Sequence, residues 1–235
     1  MGNVVKHLLN LVAHKRFYND SDECTFEEII GHNDVKRILT KAIFSNKPVH
    51  VLLVGLPGCA KTMFLTEIMR RFKSSLFVVG SNTSKAGLVN QLFERTPKFL
   101  LIDEVEKMNI TDQTSLLHLM ETGIISETKV NKTRQVELAS WVFATANSCK
   151  NIVEPLLSRF LVLEISEYTF EQFREIAVSR LTKEKVDNYV ASIVAEKIWN
   201  ELGSRDIRDV VKVGRLASSI EEVSFIISMM KTKIK

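Results

Sequence analysis

The chain has 235 residues, 45% of them hydrophobic and 26% charged, with a net charge of +4. That length supports one sizeable core or a core with a small appendage, and the composition is ordinary for a globular protein. The positive excess is too weak a field to argue for nucleic acid by itself, and no apolar run approaches the ~18 residues of a membrane span. Three scattered cysteines (Cys24, Cys59, Cys149) form no C-x-x-C pair, which excludes a zinc site of that kind and a disulfide framework. Lys6, His7 and His14 interrupt the apolar positions of the N-terminus, unlike a secretory signal. Lys6 also stands where a myristoylation motif needs Ser or Thr. A cytoplasmic protein is expected.

In chain order, residues 1–24 come first. Val4, Val5, Leu8, Leu9 and Val12 share one face of a possible helix with Lys15 and Arg16 at its end, where cations suit the dipole. A docking helix and a frayed arm are comparable readings, and Asn19–Glu23 reads as a linker. Thr25–His32 leads into a helix with Val35, Ile38, Leu39 and Ile43 on one side. From Val49 strands and helices alternate. Apolar β-branched runs at 49–54, 76–80, 99–102, 141–145 and 161–165 read as buried parallel strands. Helices are expected over 87–95 and 112–122, the second closed by Gly123. Residues 124–138 alternate around Lys129, Lys132 and Arg134, predicting a hairpin with a basic middle. This pattern is an α/β fold, a parallel five-stranded sheet with helices on both faces, over residues 25–166. After Ile165 only helical patterns remain, opened by the capping box Thr169-Phe170-Glu171-Gln172. Residues 167–235 are expected to form a small all-α subdomain.

The chemistry centres on Gly55-Leu56-Pro57-Gly58-Cys59-Ala60-Lys61-Thr62. The turn sits between the first strand and a helix carrying Phe64, Leu65, Ile68, Met69 and Phe72. Backbone N–H groups there can surround phosphate oxygens at the positive end of the helix dipole. Lys61 brings a cation to β and γ phosphates, and the Thr62 hydroxyl can ligate Mg²⁺. The stretch resembles the Walker A loop of P-loop NTPases, with Ala60 in place of the second glycine; a negative φ is expected there, since alanine lacks glycine's freedom. With Met63, these residues are the candidate binding stretch for ATP or ADP.

Phe99-Leu100-Leu101-Ile102-Asp103-Glu104 follows 42 residues after Lys61. It resembles a Walker B strand, with Asp103 placed for Mg²⁺ and Glu104 as general base. Asn147 ends the fourth strand, where its amide can orient the attacking water. Arg159 precedes the fifth strand and points away from its own nucleotide, a candidate arginine finger acting in trans on a neighbouring subunit. Arg208 opens a helix of the C-terminal region and can reach the γ phosphate in cis, with Arg205 as a competing candidate.

The order of these motifs resembles that of AAA+ ATPases over residues 25–220. In detail it is similar to the RuvB-type Holliday-junction branch-migration motors, through Phe26–His32, Pro155–Phe160 and Tyr168. The resemblance implies an adenine pocket lined by Ile29, Ile30 and Tyr168, a sheet order of 5-1-4-3-2, a helical lid, and hexameric rings in which Arg159 completes the next subunit's site. Two departures stand out. RuvB-type motors carry a winged-helix DNA-binding domain after the lid, whereas this chain ends at Lys235, so a separate DNA-binding or adaptor subunit is an expected partner. Asn147 also replaces the Thr-rich strand ending of that branch. A DNA motor touching phosphates through Lys129, Lys132 and Arg134 is one expectation, and a protein remodeller or clamp-loader-like switch is the alternative. The loop 81–87 lacks the aromatic residue with which unfoldases grip substrate.

Overall fold

The computed structural model of the chain describes residues 26–129 and 132–231, and of residues 128, 129, 132 and 133 the backbone alone. The helix or arm expected over 1–24 lies outside the described residues. Helix α1 (Asn33–Ile43) precedes β1 (Val51–Val54), which turns into α2 (Lys61–Arg71). Next come β2 (Ser75–Val79), a 3₁₀ turn (Gly80–Asn82), α3 (Lys85–Arg95) and β3 (Phe99–Asp103). A second 3₁₀ turn (Val105–Lys107) leads to α4 (Ile110–Thr122). The antiparallel hairpin β4 (Ile124–Lys129) and β5 (Lys132–Glu137) then precedes β6 (Trp141–Ala146), the short α5 (Glu154–Leu157) and β7 (Leu161–Glu164).

The five main strands pair in parallel in the order β2-β3-β6-β1-β7, as the resemblance implied. Because side chains alternate along a strand, each buried strand feeds two cores. Leu52, Leu100, Ile102, Val142 and Ala144 face Leu88, Leu92 and Leu116 of α3 and α4. Val51, Leu53, Phe99, Leu101 and Phe143 face Leu39 and Ile43 of α1 with Phe64 and Ile68 of α2. Helices thus cover both faces of the inner strands, whereas β7, expected from its apolar run to be buried, is an edge strand whose Leu161 and Val162 are exposed. What matters for function is that every parallel strand ends on the same edge.

The chain after β7 is helical: α6 (Phe170–Lys183), α7 (Asn188–Lys197) running into a π turn (Ile198–Leu202), α8 (Ile207–Leu216) and α9 (Ile220–Lys231). The capping box at Thr169 and Gln172 forms as expected. These helices bury a core of their own around Phe173, Leu181, Val194, Val213 and Ile227. Gly214 lets α8 approach α6 closely, since a Cβ there would lie 2.4 Å from Leu181 Cδ2.

His50, just before β1, ties the sheet's lower edge: its Nδ1 accepts the N–H of Val142 at 3.1 Å. Burial holds its pKa below the ordinary 6.5, partly offset by a hydrogen bond to the Met120 backbone. Burial, and then the charge of Lys36, likewise lower that of His32. Both groups therefore refuse protons that the unfolded chain binds as the pH falls through the ordinary imidazole value. Stability should drop from about pH 7 to about pH 5 for this reason. Urea midpoints measured across that range should show a shallower fall in His50→Asn, whose amide oxygen can accept the same N–H. An unchanged slope would exonerate His50.

Candidate active site

Gly55 begins the turn after β1 and donates its N–H to Ala146 O at 3.2 Å. A Cβ at Gly55 would sit 2.5 Å from Ile165 O, so only glycine fits beside that carbonyl. The turn then takes two left-handed residues, Gly58 at φ +89° and Ala60 at φ +63°. The negative φ expected at Ala60 is overturned. The chain must reverse there to enter α2, and alanine adopts the left-handed backbone at about 1–2 kcal/mol. Leu56 and Pro57 are exposed at the tip, while Cys59 is buried. Burial pushes the Cys59 thiol pKa up.

Six helices (α3, α4, α6, α7, α8, α9) begin with a side-chain cap, from Ser84, Asn109, Thr169, Asp187, Asp206 and Ser219. Helix α2, like α1 and α5, has none. Its opening N–H groups are thus free of any side-chain acceptor at the end of the helix that favours anions. The Lys61 ammonium lies beneath them, donating to Gly55 O and Leu56 O at 2.7 Å each. Burial lowers its pKa, and Cys59, Glu106, Asp103 and Glu104 push it back. An uncapped helix start over a buried ammonium fits a phosphate chain.

The ends of β3 and β6 meet this turn. Thr62 Oγ1 donates to both Asp103 oxygens at 3.1 Å, and Thr145 Oγ1 donates to Asp103 Oδ1 at 2.5 Å. The hydroxyl and carboxylate nominated for Mg²⁺ are therefore in contact, a hard-oxygen pair of the kind that ion takes together with phosphates. No group of three or more His, Cys, Asp or Glu side chains suited to a metal occurs among the described residues. Met63, in the first turn of α2, is exposed.

Glu104 has a left-handed backbone at φ +56°. Its N–H donates to Thr145 Oγ1 at 3.0 Å and its carboxylate pairs with Lys107 at 2.8 Å. Gly80 at the end of β2 permits this, because a Cβ there would meet Glu104 O at 2.2 Å. Asn147 follows β6 on the same edge but turns to Glu106, whose Oε1 accepts its N–H and its Nδ2, both at 3.0 Å. Glu106 and Thr145 are the residues that reading the sequence missed. A second acidic residue two positions after Glu104 was visible, but nothing local said it would be buried.

The adenine-pocket candidates come from two cores. Ile29 belongs to the sheet core and Tyr168 to the helical one. The His32 ring joins them, 4.9 Å from Tyr168 and 6.3 Å from Phe64. Lys36 Nζ donates to Ile29 O, and Ile30 is half-buried. Burial pushes the Tyr168 phenol to about 12.

The helical region reaches the turn at Gly58, where a Cβ would lie 3.3 Å from Asp206 Cα. Arg208 is held on Asp206 by Nε contacts of 2.9 and 2.8 Å and an Nη2 contact of 2.6 Å. Arg205 instead stacks 3.5 Å above the Trp199 ring and donates to Trp199 O. Arg205 O lies 3.5 Å from the same Cβ position at Gly58, and Arg208 connects to the turn through Asp206.

Arg159 lies at the other end of the sheet. In the β1–β7 register Leu161 pairs with Val51 and Glu164 with Val54. The four residues of β7, about 13 Å of strand at ~3.3 Å each, therefore separate Arg159 from its own phosphate-binding turn. It pairs with Glu121 at the end of α4. In the hairpin, Arg134 is not free for phosphates as expected: it donates to Glu127 and Asn90 and covers the Phe93 ring at 4.6 Å. Lys129 and Lys132 pair across the turn of the hairpin in backbone register.

A phosphate-binding turn seated where the strands of such a sheet end marks the P-loop nucleotide-binding class. Within it, the chain belongs to the ATPase family associated with various cellular activities (AAA), whose model matches residues 51–168, half of the chain. It is 27% identical over 210 residues to the DNA replication licensing factor mcm2 of Xenopus laevis, covering 76% of this chain and 24% of that one. It is 25% identical over 190 residues to the minichromosome maintenance protein MCM of Saccharolobus solfataricus, covering 63% and 28%. The chain thus spans about a quarter of the length of these curated relatives. Among solved structures, the Thermotoga maritima RuvB Holliday junction branch migration motor superposes with a TM-score of 0.59 at 22% identity, covering 79% of this chain and 61% of that one. A closed-state Hsp104 reconstruction gives 0.66 at 16%, covering 79% and 44%. These likenesses show the fold. No helix among the described residues is long and apolar enough to cross a membrane.

The left-handed Ala60 makes a clear forecast. Ala60→Gly should leave the fold unharmed and raise its stability by about 0.5–1 kcal/mol, because the relieved strain outweighs the added chain entropy. Chemical denaturation measures this. A loss of stability beyond the ~0.8 kcal/mol that burying the Ala60 methyl is worth would mean that position 60 is not left-handed in solution.

Proposed function

We propose that the protein hydrolyses Mg-ATP at the subunit interfaces of an oligomeric ring and uses the energy to drive a motor on DNA. The supporting observation is the division of the site. Lys61, Thr62, Asp103, Glu104 and Asn147 gather at one edge of the sheet, while Arg159 stands at the opposite edge, beyond reach of its own phosphate-binding turn. A second copy, in a hexameric ring or a smaller one, supplies the missing arginine.

In this reading residues 25–166 bind the nucleotide and residues 167–235 form the lid. Gly55, Leu56, Pro57, Gly58, Cys59, Ala60, Lys61, Thr62 and Met63 receive the phosphates, with Thr62 and Asp103 holding Mg²⁺. Bound Mg²⁺ neutralises charge on the β and γ phosphate oxygens. Ile29, Ile30 and Tyr168 hold the adenine. Glu104 releases Lys107 and takes a proton from the attacking water, while Asn147 orients that water. Arg208 leaves Asp206 to reach the γ phosphate from the lid. The DNA assignment is supported by relatives named for DNA replication licensing and by the hairpin lysines. A further subunit that binds DNA or adapts the ring to it completes the machine.

Glu104→Gln should retain nucleotide affinity and lose turnover by at least about 100-fold in a steady-state phosphate-release assay. Normal turnover would remove Glu104 from the role of base. Arg159→Ala should lose turnover by about 1,000-fold while monomer affinity for ATP stays within about twofold, and mixing it with Lys61→Ala protein should restore part of the rate. An equal loss of binding would put Arg159 in cis.

Replacing Lys129 and Lys132 with Ala should weaken DNA binding and reduce its salt slope by up to about two phosphate contacts. Arg134→Ala should affect the fold of the hairpin more than the salt slope. Fluorescence anisotropy titrations at several salt concentrations decide this, and a double variant that binds like the parent would dismiss the hairpin as the DNA contact.

A further inference from the structure

The carboxylate beside Asn147 belongs to a residue with no part in the scheme above. Glu106 sits in the 3₁₀ turn just past Glu104 and is 91% buried, with a relative exposure of 9%. One of its oxygens, Oε1, accepts two hydrogen bonds from the same residue, the Asn147 N–H and Nδ2 at 3.0 Å each. The other, Oε2, is buried with no hydrogen-bond partner.

We propose that Glu106 is a positioning residue for hydrolysis: it fixes the Asn147 amide so that its oxygen, Oδ1, faces the attacking water. This rests on the ATP-hydrolysis reading and deepens it. An ionised carboxylate only accepts hydrogen bonds, so the amide must present its NH₂ group to Glu106 and its oxygen elsewhere. Anchoring the backbone and the side chain of Asn147 on one atom removes both the swing of the residue and the flip of its amide. The nucleotide then meets an acceptor already aimed, and the orientation cost is met by folding rather than during the reaction.

Its two hydrogen bonds to Asn147 stabilise the fold, but the second oxygen works against that gain. A buried carboxyl with one unbonded oxygen costs free energy that an apolar side chain of similar volume would not. Burial lowers the Lys61 ammonium pKa, and the charge of Glu106 is among those that push it back.

Three single variants and one double variant test the role in the full chain. Glu106→Leu fills the volume without an acceptor, and should lower kcat about 10- to 100-fold with ATP and ADP affinities within about twofold. Asn147→Ala should show a comparable loss, and the double variant should be no slower than the worse single one. Glu106→Gln, whose Oε1 can accept the same two bonds, should return most of the rate. A parental kcat in Glu106→Leu, or losses that multiply in the double variant, overturns the positioning role. A parent protein that neither binds nor hydrolyses Mg-ATP overturns the functional reading itself. Should Glu106→Leu fail to fold, the rate of Glu106→Gln decides: one as low as that of Asn147→Ala overturns the role.

Discussion

Thr62 and Thr145 both donate to Asp103, and the remainder of the site is arranged about that carboxylate. The three residues come from the start of α2 and the ends of β3 and β6, segments far apart in the chain. Parallel pairing makes the meeting possible, because strands that run the same way also end on the same edge. A hydrogen bond from the Glu104 N–H to the Thr145 hydroxyl carries the arrangement one residue further. Thr145 is fully buried, so this wiring is protected from solvent competition.

The phosphate-binding turn obeys a different constraint, which is space. Gly55 and Gly80 stand where neighbouring carbonyl oxygens leave no room for a side chain, and Gly58 lies against the start of α8. Ala60 is the exception, accepting a left-handed backbone that glycine would adopt without strain. Its methyl group packs partly against both the sheet core and the helical core. That contact offsets some of the conformational cost, and it couples the turn to the helical region through backbone and side chain together.

At the opposite edge of the sheet stands Arg159. Arg159 is fixed near Glu121, while α4 begins beside Asn147's anchor and ends beside Arg159. The buried Gln113 in its first turn donates to Met108 O and Asn151 O and accepts from Val153 N–H. One helix therefore links the turn that carries Glu106 to the segment between Asn147 and Arg159.

Residue order alone determined much of this protein. The buried strands, the phosphate-binding turn, Asp103 with Glu104 and the helical C-terminal region are set by local periodicity and by motifs whose parts adjoin in the chain. Tertiary structure decided the rest, because it depends on neighbours distant in sequence. The left-handed Ala60 follows from how β1 must enter α2, and Arg205 is committed to Trp199 while Arg208 is committed to Asp206. Arg134 is committed to Glu127, Asn90 and Phe93, and Glu106 takes hold of Asn147 across 41 residues. A side chain's type states which bonds it can make; only packing selects which partner arrives to make them.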